Sequence, residues 1–238
     1  DVKQNPLYED GGMAYLDTHY YGGVKKYQWV SLPLAIHGVV VKKDVTTIEL
    51  NIGENDDDPV FFVSDLLIHL AGEQLEKKAA KVIEGEALDL IVGSRPILLG
   101  QAEEESLEKD EKHSEKDEKH SDQGDKNVEG KAKDAVKAGI LDILKKTYDI
   151  EEEDFISAEL EIVPAGRARE AGFDRSMILA YGQDDRVCAF TSMRAMLDIK
   201  ETERCVCCIL VDKEEIGSVG ATGMQSRFFE NAVAELMN

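Results

Sequence analysis

Acidic side chains gather in the last quarter of this chain at positions where chemistry could be done. Asp184 and Asp185 stand in GQDDR (residues 182–186), and Glu214 and Glu215 stand in DKEEIGSVGATGMQS (residues 212–226), just after the apolar run CVCCILV at residues 205–211. That run is short and rich in β-formers, so it reads as a buried strand, and residues 212–215 emerge at its carboxyl end. In an open α/β sheet this edge is where ligands bind. Carboxylates crowded at such an edge repel one another and lose solvation, and a divalent cation held between them compensates. Metal-assisted chemistry is therefore the leading expectation, with Asp184, Glu214 and Glu215 converging on bound cations. Composition supplies the competing explanation, because 49 Asp and Glu among 238 residues make adjacent acidic pairs common on any solvated surface.

The elements that must position these residues follow an α/β order. Residues 176–181, a helix over 186–197, the strand at 205–211, a Gly-rich loop and a helix over 227–237 succeed one another. Gly217, Gly220 and Gly223 superficially suggest a phosphate loop, but no GxxxxGK[ST] order is present. They read instead as places where backbone approaches the site, lined by Ser218, Thr222 and Met224. Upstream the pattern is different. Residues 13–70 are rich in β-branched and aromatic side chains, with turn signals at Gly22 and Gly23, at Lys43 and Asp44, and over 53–59, which predicts an antiparallel or barrel-like unit. Residues 72–90 carry helix formers interrupted by Gly85, 132–148 reads as an amphipathic helix, and 155–163 as a strand. A boundary is expected at 164–172.

Between these halves, residues 101–129 hold twelve acidic residues against five lysines, about a third of the net charge of -21. EKDEKHS occurs twice in succession there, at 108–114 and 115–121. A segment with so little to bury reads as a solvated loop or an irregular exposed helix, with His113 and His120 in a solubilising repeat rather than a metal site. The net charge argues against nucleic acid and anionic membranes as partners, and no stretch has the length of a membrane span. The four cysteines lack paired CxxC spacing, so they read as buried reduced thiols. That usage suits a reducing compartment, and the expected location is the cytoplasm.

Four phrases carry a resemblance: THYYGGVKKYQW (residues 18–29), PLAIHG (33–38), GQDDR (182–186) and DKEEIGSVGATGMQS (212–226). Together, and in this order, the sequence resembles the aspartyl aminopeptidase and aminopeptidase I family of zinc metallopeptidases; the acidic insert lies outside the match. The resemblance implies an α/β catalytic domain into which a β-rich, α+β, barrel-like dimerisation domain is inserted. Residues 1–166 would be mostly that insertion, with the acidic low-complexity segment at 101–130, and 167–238 a portion of the catalytic domain. It implies two divalent metal ions, zinc by default, although cobalt or manganese suits the same oxygen and nitrogen ligands. Asp184 would bridge the metals, Glu215 would ligate one, and Glu214 would be the general base on a metal-bound water attacking the peptide carbonyl. Homodimers assembling into dodecamers, acting on short peptides, are implied as well.

Further expectations rest on the same resemblance. His69, in LLIHLAGEQ, reads from its apolar context as a core histidine, whereas the family places a matching histidine across the dimer, where it would orient substrate or stabilise the oxyanion in trans. A nonprolyl cis peptide is expected between Asp184 and Asp185. His37 reads as a strand residue near the dimer core and His19 as packing beside the Gly22–Gly23 turn. The family's first metal-binding histidine would precede Asp1, and an aspartate and a histidine ligand would follow Asn238, so the chain reads as an internal fragment that alone hydrolyses no peptide. Two rivals remain: a noncatalytic assembly protein that keeps the fold, and an acidic interaction module centred on the repeat.

Overall fold

Residues Val2–Asp10 form a strand that local sequence pattern does not signal. In a computed structural model, which describes residues 1–96 and 134–237, β1 (Val2–Asp10) pairs antiparallel with β2 (Met13–Thr18) across Gly11 and Gly12, whose φ values of 56° and 78° suit glycine. The β2 residues alternate: Ala14, Leu16 and Thr18 are buried, and Met13, Tyr15 and Asp17 between them are not. β3 (Leu34–Val41) and β4 (Thr47–Ile52) make a second hairpin, with the expected turn at Lys43 and Asp44 between them. Two short helices follow, α1 (Gly72–Leu75) and α2 (Ala79–Val82), and then β5 (Leu90–Gly93), which pairs with β2. After the acidic segment, which lies outside the described residues, come α3 (Ala135–Tyr148), a 3-10 turn (Glu152–Ser157) and β6 (Ala158–Pro164).

These elements give two three-stranded sheets, ordered β1-β2-β5 and β4-β3-β6. Single bridges pair Leu34 with Phe61 and Phe62 with Ile91, so one extended segment reaches both sheets. Leu16, Leu34, Ile36, Val40, Leu90 and Ile150 fill the space between the elements. Within the second sheet, β3 and β6 approach closely at Gly38, where an added Cβ would overlap the Glu159 carbonyl oxygen and lie 3.0 Å from Leu160 Cα. The strand expected over 155–163 begins later than expected. Asp154 accepts a hydrogen bond from the Glu151 backbone at 2.9 Å and closes a capping box, which holds residues 152–157 in the 3-10 turn.

The described chain divides into two compact units, one of Asp1–His19 with Lys26–Val163 and one of Tyr20–Lys25 with Pro164–Asn238. The second contains β7 (Arg169–Ala171) paired antiparallel with β8 (Met177–Leu179), then α4 (Gln183–Leu197), a 3-10 turn (Glu214–Ile216) and α5 (Phe228–Met237). The helices fall close to where the sequence places them. The strand expected at 205–211 does not form: these residues have no regular structure, and Val206, Ile209, Leu210 and Val211 are exposed. A strand of this composition needs paired edges and covered faces, and among the described residues of this unit the β7–β8 ladder is the only one. For the same reason the thiols are not buried: Cys188, Cys205 and Cys207 are exposed and Cys208 partly so, all four free. Every large apolar side chain that is buried belongs to the first unit, among the described residues.

Candidate functional site

Glu214 and Glu215 sit side by side on a turn whose backbone is held in a costly shape. Lys213 and Ser218, neither of them glycine, adopt left-handed φ values of 72° and 61°, and Gly217 adopts 83°. Such residues persist where surrounding contacts over-determine them, and they cluster at functional sites. Here the contacts are mostly internal. Gly217 N donates to Glu214 O at 2.9 Å, Ser218 N to Lys213 O at 2.7 Å, and Gln225 N to Ser218 O at 3.1 Å. The Gln225 side-chain amide donates to Gly217 O at 2.6 Å and ties the far end of the loop back to its start. Gly223 presses so closely on this backbone that an added Cβ would lie 2.6 Å from the Ser218 carbonyl carbon. Ser218 and Met224 are thereby brought to one neighbourhood; Thr222 is an exposed member of the same loop, and Met224 is 46% exposed.

The base of the turn is charged. Lys213 Nζ pairs with Asp212 Oδ2 at 3.1 Å and lies 5.8 Å from the centre of the Tyr21 ring. Burial pushes the Asp212 carboxyl upward, but the hydrogen bonds and charge of Lys213 outweigh it and hold the group below the usual carboxylate range. Tyr21 and Gly23 were missed as site residues, because GG in the sequence signals only a turn. Lys213 and Gln225 carry no chemistry of their own that spacing would reveal.

Asp184 and Asp185 occupy the first turn of α4, where the helix dipole favours negative charge. Gly182 precedes them at a φ of 66°, and Gln183 donates from its amide to Ile178 O at 3.1 Å. The peptide between Asp184 and Asp185 is trans, against expectation, since the described chain contains no cis bond. Both residues are inside a regular helix, and helical hydrogen bonding requires the trans form.

The carboxylates of Asp184 and Glu215 are donors that zinc accepts, but a zinc site needs at least three protein ligands. Among the described residues no three His, Cys, Asp or Glu side chains lie close enough to hold a metal, so the expected convergence of Asp184, Glu214 and Glu215 is not assembled. His69 belongs to the first unit and is exposed in a turn with Leu66, Leu67, Ile68 and Leu70, which are 55–70% exposed; it is not a core histidine. His37 lies in β3, with Nε2 3.0 Å from Glu54 Oε1, and His19 Nδ1 lies 3.4 Å from Glu86 Oε1.

Comparison with known proteins gives the class of this two-unit chain. The sequence pattern of the aminopeptidase I zinc metalloprotease (M18) family matches residues 1–238, and the chain belongs to that family. It is 58% identical over 238 residues to a probable M18 family aminopeptidase 1 of Clostridium acetobutylicum, covering 100% of this chain and 45% of that protein. The crystal structure of aminopeptidase I from that organism superposes with a TM-score of 0.80 at 57% identity, over 100% of this chain and 45% of the other. An M18 family aminopeptidase structure from Thermotoga maritima gives a TM-score of 0.80 at 44% identity, over 99% of this chain and 45% of that one. The chain thus spans about half the length of the relatives it matches. No helix among the described residues is long and apolar enough to cross a membrane.

Proposed function

We propose that this chain is part of a two-metal aminopeptidase that releases N-terminal residues from short peptides, with zinc as the metal. The single observation that carries the reading is the pair Glu214 and Glu215, presented together on a turn fixed by left-handed residues at 213, 217 and 218. Strain of this kind is kept where side chains must be aimed. On this reading Glu214 holds the proton taken up in hydrolysis, Glu215 and Asp184 are metal ligands, and Ser218, Thr222 and Met224 contact the peptide. Zinc would contribute Lewis acidity. The names of the relatives favour an enzyme over a noncatalytic assembly protein.

The first unit, with its own core and the exposed 66–70 turn, would be the dimerisation domain, and His69 would act from it across the dimer. Dimers of this kind would build a larger closed assembly, a dodecamer by resemblance, in the cytoplasm. The second unit exposes Ile178, Leu179, Phe190, Leu210, Leu236 and Met237 and, among the described residues, buries no large apolar side chain of its own. Its apolar faces would be covered by the remaining length of a protein the size of its relatives.

The test is a set of substitutions in the full-length protein. Glu214→Gln should lower kcat by about 100-fold or more while zinc content stays unchanged, whereas Asp184→Asn and Glu215→Gln should lower zinc content as well. Wild-type zinc content and turnover in all three variants would sink the proposal and leave the noncatalytic reading.

A further inference from the structure

We propose that the Tyr20–Lys25 loop is a positioning clamp for Glu215, holding its carboxylate from a point some 190 residues away in the chain. The inference rests on the reading of Glu215 as a metal ligand for its functional meaning, and on packing for its substance. The loop belongs to the same compact unit as residues 212–218, although the chain on either side of it belongs to the other unit. A segment that leaves its own unit for six residues is placed there by what it touches.

The two glycines of the loop have different tasks. Gly22 has a φ of 90° and open space around the position of a Cβ, so its glycine makes the turn. Gly23 has no such backbone need. A Cβ added to it would lie 2.8 Å from Glu215 Oε2 and 3.9 Å from the Glu215 carbonyl oxygen, so its bare backbone makes room for the carboxylate and walls one side of it. Two residues earlier in the loop, the Tyr21 ring faces Lys213 Nζ, which in turn pairs with Asp212. Lys213 is the left-handed residue that opens the 3-10 turn, so the same loop touches both the backbone kink and the side chain the kink aims. Tyr20 OH donates to Val24 O at 3.2 Å and closes the loop on itself, which stiffens the wall.

Gly23 and Tyr21 are therefore positioning residues acting through Glu215 and Lys213. In the full-length protein, Gly23→Ala should push the Glu215 carboxylate aside. Amide hydrogen exchange over residues 212–218 should become about tenfold faster. Zinc affinity, measured by competition with a chromophoric chelator, should fall by about 10-fold or more. Combining Gly23→Ala with Glu215→Asp, which withdraws the carboxylate by one methylene, should bring exchange back to that of Glu215→Asp alone. A merely structural lesion would show no such rescue. If Gly23→Ala does not fold, Tyr21→Leu carries the test, with faster exchange confined to the same segment. Unchanged exchange and zinc affinity in Gly23→Ala would overturn the clamp. Faster exchange in Gly23→Ala together with wild-type zinc affinity in Glu215→Gln would uphold the clamp and remove the ligand reading instead.

Discussion

Single residues in this chain are constrained for reasons that differ from site to site. Asp149 ends α3 in a left-handed conformation, with Lys145 Nζ 2.6 Å from one carboxylate oxygen and Lys42 Nζ 2.6 Å from the other. The hydrogen bond from Lys145, then that from Lys42, draws its pKa down from 3.8 to about 2. A carboxyl depressed in the folded state is protonated first in the unfolded chain, so its stabilisation is present above pH 3.8 and is lost as pH falls toward about 2. The group is largely exposed and solvent screens it, so the effect is modest. Urea midpoints measured across that window should fall less steeply for Asp149→Asn than for the unaltered chain; parallel curves would contradict the assignment. Gly38 is constrained by space. Gly38→Ala should destabilise the first unit by about 3 kcal/mol or more, read from denaturant unfolding, because its methyl meets main chain that cannot yield.

At the scale of elements, the helices are local in origin and their ends are not. α3 lacks a side-chain cap from its own N-cap residue, Asp134. Glu9 of β1 supplies it instead, accepting from Val136 N at 2.8 Å and Lys137 N at 3.0 Å. A carboxylate at this end satisfies two free N–H groups and complements the helix dipole. Glu9→Ala should cost about 1 kcal/mol, and Glu9→Gln less, in the thermal or denaturant unfolding of the first unit. Equal loss in both variants would show that packing, not capping, is the contribution. The other element-level lesson is the run at 205–211. Its residues predict a strand in isolation, yet a strand exists only when a neighbour accepts its hydrogen bonds, and no described neighbour does.

Across the whole molecule the contrast between the units dominates. One has a continuous apolar core, whereas the other leaves its helices and its CVCCILV run uncovered. Apolar area of this extent is favourable only when removed from water. The 238-residue chain should accordingly bind a hydrophobic dye such as anilinonaphthalene sulfonate strongly, and a protein of the relatives' length weakly.

The sequence by itself determined what local chemistry controls. The turn at Lys43 and Asp44 and the helices expected over 132–148, 186–197 and 227–237, which form over 135–148, 183–197 and 228–237, are legible from periodicity and turn residues, and the four family phrases led to the family. Only the tertiary structure decided that Glu9 caps a helix 127 residues away, that Gly23 makes room for Glu215, that His69 is exposed, and that residues 205–211 stay unpaired. The physical reason is that these depend on contacts distant in sequence, and one glycine or one apolar run has the same local preference whichever partner it meets, or whether it meets one at all.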